Sequence, residues 1–321
     1  MKRRGLAFEL GIAAAALACL AVLPLVFPSK ALVDFAIRVA AFGIFASSLN
    51  MLVGYTGLVS FGHGMFFASG AYGFGLMMQK AGTSVPLAFV LTVLLSAALA
   101  AVVGAICVRL KEIYFAFLTL AFQMLLHSLI ISWQGLTGGD QGLMGGIPRP
   151  PFAGINLAEP SHLYLFACTM LVACLLAMRH LMQAPFGYTL RMIRDNPDRA
   201  QFIGIRVWRM RLAVFVAAGT FASVGGIIMS LLVSGAYPEF GYWTISGEAI
   251  FMLMLGGTAS FLGPTAGTMM LLLLNDVITK FTEYYGLTLG AVILVFALVF
   301  RKGMLDFALE ALRRRFGEDR P

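Results

Sequence analysis

The sequence predicts an all-α polytopic membrane protein with about ten transmembrane helices. Three observations carry that prediction. Of its 321 residues, 60% are hydrophobic and only 12% charged, whereas soluble domains carry about 25% charged residues to make a polar skin. The mean hydropathy is +0.89. Apolar runs of about 20 residues, the length that crosses a hydrocarbon core, recur along the chain. The length alone would allow about two soluble domains, but the charge to cover them is missing. Disordered, coiled-coil and disulfide-scaffold readings fail on the same composition. The formal net charge of +8 reports membrane topology before it reports nucleic acid.

The candidate spans are Phe8–Phe27, Ala31–Val53, Leu58–Met78, Val85–Val108, Ile113–Trp133, Leu163–Met182, Leu212–Ser234, Gly263–Thr279 and Tyr285–Phe300. A shorter apolar piece, Ala249–Phe261, is interrupted by Gly256-Gly257 and followed by Gly263-Pro264. Basic residues decide whether it crosses. With Lys2-Arg3-Arg4 cytoplasmic and the short piece spanning, 18 of the 23 Lys and Arg residues fall on the cytoplasmic side. If it turned back, Arg301, Lys302 and Arg313-Arg314-Arg315 would lie outside, against the positive-inside rule. Ten crossings with both termini inside is therefore the predicted topology.

The first span has a basic start like a secretory signal. It runs to Phe27 with no small-residue cleavage site before a polar segment, so it reads as a retained anchor. Cys19, Cys107, Cys168 and Cys174 lie in apolar runs without metal-ligand spacing and read as small buried hydrophobes. The permease body thus covers 1–300, with an external Gly- and Pro-rich loop at 134–160 and a basic cytoplasmic loop at 183–211. In the tail, 301–321, Leu305, Leu309, Leu312 and Phe316 are spaced as in an amphipathic helix on the inner leaflet. A frayed charged tail is the alternative.

The basic loop is the most informative local signal. Asn196 suits a helix N-cap, Pro197 the first helical position and Asp198 the first turn. Gly204 suits the left-handed residue that ends a helix. The predicted helix, Pro197–Ile203, is flanked by Arg191, Arg194, Arg206, Arg209 and Arg211 and carries Ala200, Phe202 and Ile203 toward water. A short helix with an apolar face and an arginine collar suits docking into a groove of a cytoplasmic partner. The plainer reading is a loop that merely obeys positive-inside, which leaves the cap and the apolar face unexplained.

Glycine clusters are the second signal. Gly54-Tyr55-Thr56-Gly57, Gly62-His63-Gly64 and Gly70 interrupt the second and third spans, and Gly256-Gly257-Thr258 with Gly263-Pro264 interrupts the C-terminal half. Broken segments in both halves point to a transport path, because unwound backbone is tolerated at depth only where it is buried or lines a cavity. Close helix packing through small residues gives the same pattern. Thr56, Ser60, His63, Thr119, Gly256, Gly257 and Thr258 are the candidate path residues; Thr56, Ser60, Thr258 and Ser260 either bond a polar solute or bond back to their own helices.

Intramembrane ionisable groups are few. Asp34 and Arg38, four apart, read as an ion pair on one helical face. Glu112, Glu248 and Asp276 fall near span ends, while His63 and His127 lie deeper. That scarcity argues against a proton-coupled carrier. No Gly-Lys dipeptide occurs, so no phosphate-binding P-loop exists, and hydrolase and metalloprotease motifs are absent. If this protein pumps, another subunit supplies the energy.

Several runs resemble the permease family of branched-chain amino-acid ABC importers, in its M-type subunit. Leu49-Asn50, Gly54-Tyr55-Thr56-Gly57-Leu58, Ser60, Gly62-His63, Phe66-Phe67 and Gly70-Ala71-Tyr72 resemble the family's N-terminal signature. Tyr114-Phe115, Thr119-Leu120-Ala121-Phe122, Thr137-Gly138-Gly139, Gly142-Leu143 and Ile147-Pro148 resemble a stretch typical of the M-type partner. Arg191, Arg194-Asp195-Asn196, Ala200 and Gly204 are similar to the ATPase-coupling loop. The likeness spans roughly residues 45–300. Two departures stand out: Arg301-Lys302-Gly303-Met304 replaces the usual Arg-Pro-x-Gly-Leu, and His63-Gly64 replaces His-Ala.

The resemblance implies a type II importer permease with no enzymatic activity or cofactor of its own. ATP would be bound by two cytoplasmic subunits, and a second homologous permease and an external solute-binding protein would complete the complex in a bacterial plasma membrane. Nucleic acid is not an expected partner; membrane lipid is. Relatives in the family carry urea or short amides, so those solutes stay open beside branched-chain amino acids. A self-sufficient channel or ion-coupled carrier is the alternative from another class. A membrane hydrolase lacks a nucleophile and base at recognisable spacing.

Overall fold

In the computed structural model, the described residues are 29–151, 154, 156–281, 284–299, 303–305 and 307, with isolated positions 11, 15 and 17. The expected first span, the basic N-terminus and the amphipathic tail lie outside the described residues. Within them the protein is all-helical, with one isolated β-bridge between Leu143 and Ala236.

The bundle is built around α1, Lys30–Thr56, which is buried without a break from Ala40 to Leu52. A helix apolar on every side belongs at the centre of a bundle. Around it lie α2 (Gly64–Gln79), α3 (Val85–Cys107), α4 (Glu112–Ser132), α5 (Pro160–Gln183) and α8 (Val207–Val233). Between α5 and α8 come two short helices, α6 (Pro185–Asp195) and α7 (Pro197–Phe202). The C-terminal half closes with α9 (Trp243–Gly256), α10 (Gly263–Phe281) and α11 (Tyr285–Val299). Five of these helices, α1, α3, α4, α5 and α8, are long and apolar enough to cross a membrane.

Helix α8 packs on α1, α2 and α3. The crossing with α2 has no room for side chains: a Cβ on Gly226 would strike the Phe67 carbonyl, and one on Gly70 the Ser223 carbonyl. Small residues let backbones approach to this distance, which is how helices cohere without a hydrophobic drive between them. On α3, Ala88, Thr92, Ser96, Ala100, Val103 and Cys107 form a buried stripe, while Val90, Leu94, Leu95 and Val102 point outward, as in a helix that faces apolar surroundings on one side.

Two spans differ from expectation. The run Leu58–Met78 becomes helical only at Gly64; Gly57 ends α1 in the left-handed region at φ 74°, and Leu58–His63 is turn and coil. The short piece Ala249–Phe261 is the helix α9, which begins earlier, at Trp243, and ends at Gly256. Its 14 residues span about 21 Å, less than a hydrocarbon core. The chain between α8 and α9 makes up the difference by re-entering the bundle. Phe240, in a 3-10 turn at Pro238–Gly241, packs edge-on against Phe67 at 5.7 Å. Tyr242, just before α9, gives its carbonyl to Gln123, halfway along α4. Helix α9 therefore starts level with the middle of α4 and runs back along α10 as a hairpin in which Gly256 meets Gly263 and Gly267 meets Met252.

Candidate translocation and coupling site

The basic loop 183–211 forms the helix its caps predict. The Arg199 N–H donates to Asn196 Oδ1 at 2.9 Å, Pro197 opens α7, and Gly204 sits at φ 87° just past its end. The helix closes at Phe202, one residue short of the predicted Ile203. Phe202 is 90% exposed and Ile203 65%. Ala200 is not: it packs with Ile193 and Val207 in a small core that fastens α7 to α6 and α8, so the exposed apolar face is narrower than expected. A depression of about 570 Å³ beside it is lined by Met192, Asp195, Asn196, Arg199, Ala200 and Ile203.

Above this loop lies the first glycine cluster. Arg194 donates from Nη1 to the Gly54 carbonyl. The Arg191 guanidinium lies over the rings of Tyr55, at 5.1 Å, and Tyr188, at 5.5 Å. These are cation–π distances. Gly57 turns against the Arg194 stem. On its other side Gly54 faces the Thr258 carbonyl, to which Asn50 Nδ2 makes a long contact of 3.5 Å. Gly303 lies against Gly256 and Gly257. The two interruptions, one from each half of the chain, thus meet at the end of the bundle that carries α6 and α7, with Arg191 and Arg194 beside the first.

The remaining candidate path residues are spread along the N-terminal break. Thr56 donates to the Leu52 carbonyl at 2.6 Å and Thr119 to the Ala116 carbonyl at 2.8 Å, so both hydroxyls bond back to their own helices. Thr119 is nonetheless at the break, because Gly62 packs directly on its carbonyl. Ser60 is buried and its hydroxyl has no partner among the described residues. His63 is buried with Nε2 2.8 Å from Ser48 Oγ and its ring stacked on Phe45 at 5.3 Å. The single Ser48 proton goes to the Phe45 carbonyl at 2.7 Å. The imidazole must then donate from Nε2, which leaves Nδ1 a bare acceptor without a partner among the described residues.

Sequence reasoning missed a polar network at the inner end of the re-entrant segment. Ser246 donates to Gln123 Oε1 at 2.6 Å and accepts from the Gly64 N–H at 2.8 Å, while Gln123 Nε2 donates to the Tyr242 carbonyl at 2.7 Å. His127 Nδ1 lies 3.0 Å from the Pro238 carbonyl. These side chains satisfy backbone that the broken helices leave open, which is what permits unwinding at depth. Gln123, a lone amide inside the apolar run 113–133, was the available signal.

Arg38 does not pair with Asp34. It makes a bidentate contact with Asp276, at 3.0 and 2.7 Å, and so joins α1 to α10. Glu248 lies within α9, which begins at Trp243, five residues before it.

Residues 31–298 match the family described as the branched-chain amino acid transport system / permease component. The chain belongs to that family. It is 26% identical to the high-affinity branched-chain amino acid transport permease LivM of Salmonella typhimurium, over 90% of this chain and 73% of that protein. A probable LivM of Methanocaldococcus jannaschii is 24% identical over 70% of this chain and 75% of its own. The ribose import permease RbsC of Bacillus subtilis is 28% identical over a shorter stretch, 42% of this chain and 45% of that one. No solved structure matches. The chain is thus a multi-pass membrane permease of the ABC type.

Proposed function

We propose that this protein is the M-type permease subunit of an ATP-driven importer that carries branched-chain or related hydrophobic amino acids into the cell. The observation that supports the reading is the α7 helix: capped, leaving Phe202 and Ile203 exposed, and packed on α6, whose Arg194 bonds the helix break at Gly54. Two cytoplasmic ATPases bind ATP, and one receives α7. The coupling residues are Arg191, Arg194, Asp195, Asn196, Ala200 and Gly204.

A second permease of the same family and an external binding protein complete the assembly. The chain crosses a bacterial plasma membrane ten times with both termini cytoplasmic, as a type II importer. Closure of the ATPase dimer moves α7, and Arg194 carries that motion into the Gly54–Gly57 turn. The inner gate is the meeting of this turn with Gly256, Gly257 and Thr258, below Ser60, His63 and Thr119.

The test is Gly204→Arg in the complete transporter reconstituted with ATP inside vesicles. A side chain at this left-handed position costs about 1–2 kcal/mol locally and distorts the end of α7. Leucine uptake is expected to fall while ATP hydrolysis and membrane insertion persist. Normal uptake removes α7 from the coupling role, and leucine flux through this subunit alone without ATP favours a self-sufficient carrier.

A further inference from the structure

Glu248 is a carboxylate without a partner among the described residues. It lies on α9, five residues after Trp243, and α9 itself begins at the level where Gln123 reaches the Tyr242 carbonyl. Its carboxylate is half-buried and makes no hydrogen bond or ion pair among the described residues. Arg38 and Asp276, by contrast, neutralise each other.

The face of α9 that carries Glu248 is also distinctive. Residues 244, 247, 248, 251 and 254 share one stripe by the i, i+3, i+4, i+7 rule. Thr244 is exposed, Phe251 is 38% exposed and Met254 45%. A Cβ on Gly247 would meet nothing within 4 Å. The opposite face is fixed: Ser246 is tied to Gln123 and Gly64, and Ala249, Met252 and Leu253 are in the core. The stripe thus looks out of the bundle, with an apolar stretch at Phe251 and Met254, a hydroxyl at Thr244 and one carboxylate between them.

Lipid is the wrong neighbour for that carboxylate. Ionisable residues inside membranes face an aqueous path or a polar partner, because hydrocarbon solvates a charge so poorly. We infer that Glu248 is the solute-recognising carboxylate of the transport path and that it binds the ammonium group of an amino-acid solute, with Phe251 and Met254 offering apolar surface to its side chain. Phe251 and Met254 lie toward the end of α9 that leads to Gly256 and Gly257. A positive solute group cancels the buried charge only while it is passing, which suits a transient site better than a permanent ion pair. The inference rests on the importer reading of the previous subsection and adds to it the group that reads the solute.

The experiment uses the complete transporter in ATP-loaded vesicles, with leucine and with 4-methylpentanoate, which keeps the leucine skeleton and carboxylate but lacks the ammonium group. Glu248→Gln is expected to lower the maximal leucine uptake rate about tenfold or more, the scale of losing a charge-assisted hydrogen bond. Glu248→Asp should recover most of it. ATP hydrolysis without solute and leucine affinity of the isolated binding protein should not move. Any uptake of 4-methylpentanoate should be insensitive to Glu248→Gln. Wild-type leucine uptake in Glu248→Gln overturns the inference while leaving the importer reading intact. Failure of Glu248→Gln to assemble with the second permease also overturns it, since the carboxylate would then be a subunit contact. If the wild-type complex takes up no leucine, the amino-acid reading itself fails.

Discussion

Arg194 donates a hydrogen bond to the carbonyl of Gly54, 140 positions earlier in the chain. This bond joins the basic segment between α5 and α8 to the point where the central helix of the bundle breaks. The acceptor is one of the last carbonyls of α1, which has no intrahelical donor of its own. A guanidinium is well suited to it, being always charged and holding its donors in a rigid fork.

Removing the link should therefore loosen transmission without abolishing the machine. In Arg194→Ala, the amount of solute moved per ATP hydrolysed is expected to fall about tenfold, equivalent to about 1.4 kcal/mol of lost coupling. Arg194→Lys keeps the charge but not the fork and should recover part of the ratio. Parallel measurement of phosphate release and solute uptake checks this. An unchanged ratio in Arg194→Ala would mean that the bond has no part in coupling.

The Gln123–Ser246 network makes a stability prediction. Ser246→Ala strips partners from Gly64 N–H and Gln123 Oε1 at once, in a site where buried groups left unsatisfied cost about 1–3 kcal/mol each. The thermal midpoint of the purified protein should drop by several degrees. Ser246→Thr retains the hydroxyl and should lie closer to the native value. Equal midpoints for Ser246→Ala and the native protein would show that the network carries no stability.

The ion pair between Arg38 and Asp276 is accessible, at 30% and 34% side-chain exposure. Its worth is therefore discounted for screening, to about 1 kcal/mol despite the bidentate geometry. A double-mutant cycle of Arg38→Ala with Asp276→Ala should return a coupling of that size, and the cycle of Arg38→Ala with Asp34→Ala none. The reverse result would restore the pair that the four-residue spacing suggests.

That pair shows where sequence spacing stops being informative. Asp34 and Arg38 are correctly spaced on one helix, yet a carboxylate 238 positions away holds the guanidinium. Spacing along one helix says which groups can meet; helix rotation and packing decide which do. Ala200 teaches the same lesson. As an apolar residue of a short helix in a basic loop it reads as exposed, but α7 is fastened to α6 and α8 through it, leaving Phe202 and Ile203 to face outward.

The sequence alone determined what depends on composition and local chemistry. Its apolar excess required a bilayer, the Asn196-Pro197 and Gly204 signals set the α7 helix, and the glycine runs located the breaks. These follow from solvation and backbone sterics, which act over a few residues. The tertiary structure decided what needs two distant segments at one place. It brought Gly54 to Thr258 and Arg194, turned Arg38 to Asp276, and gave the unwound backbone at Tyr242 its donor in Gln123. It also placed Glu248 within α9 instead of just ahead of a helix, by starting α9 at Trp243. A re-entrant turn has no hydrophobic period of its own, so only the partners that satisfy its backbone reveal its depth.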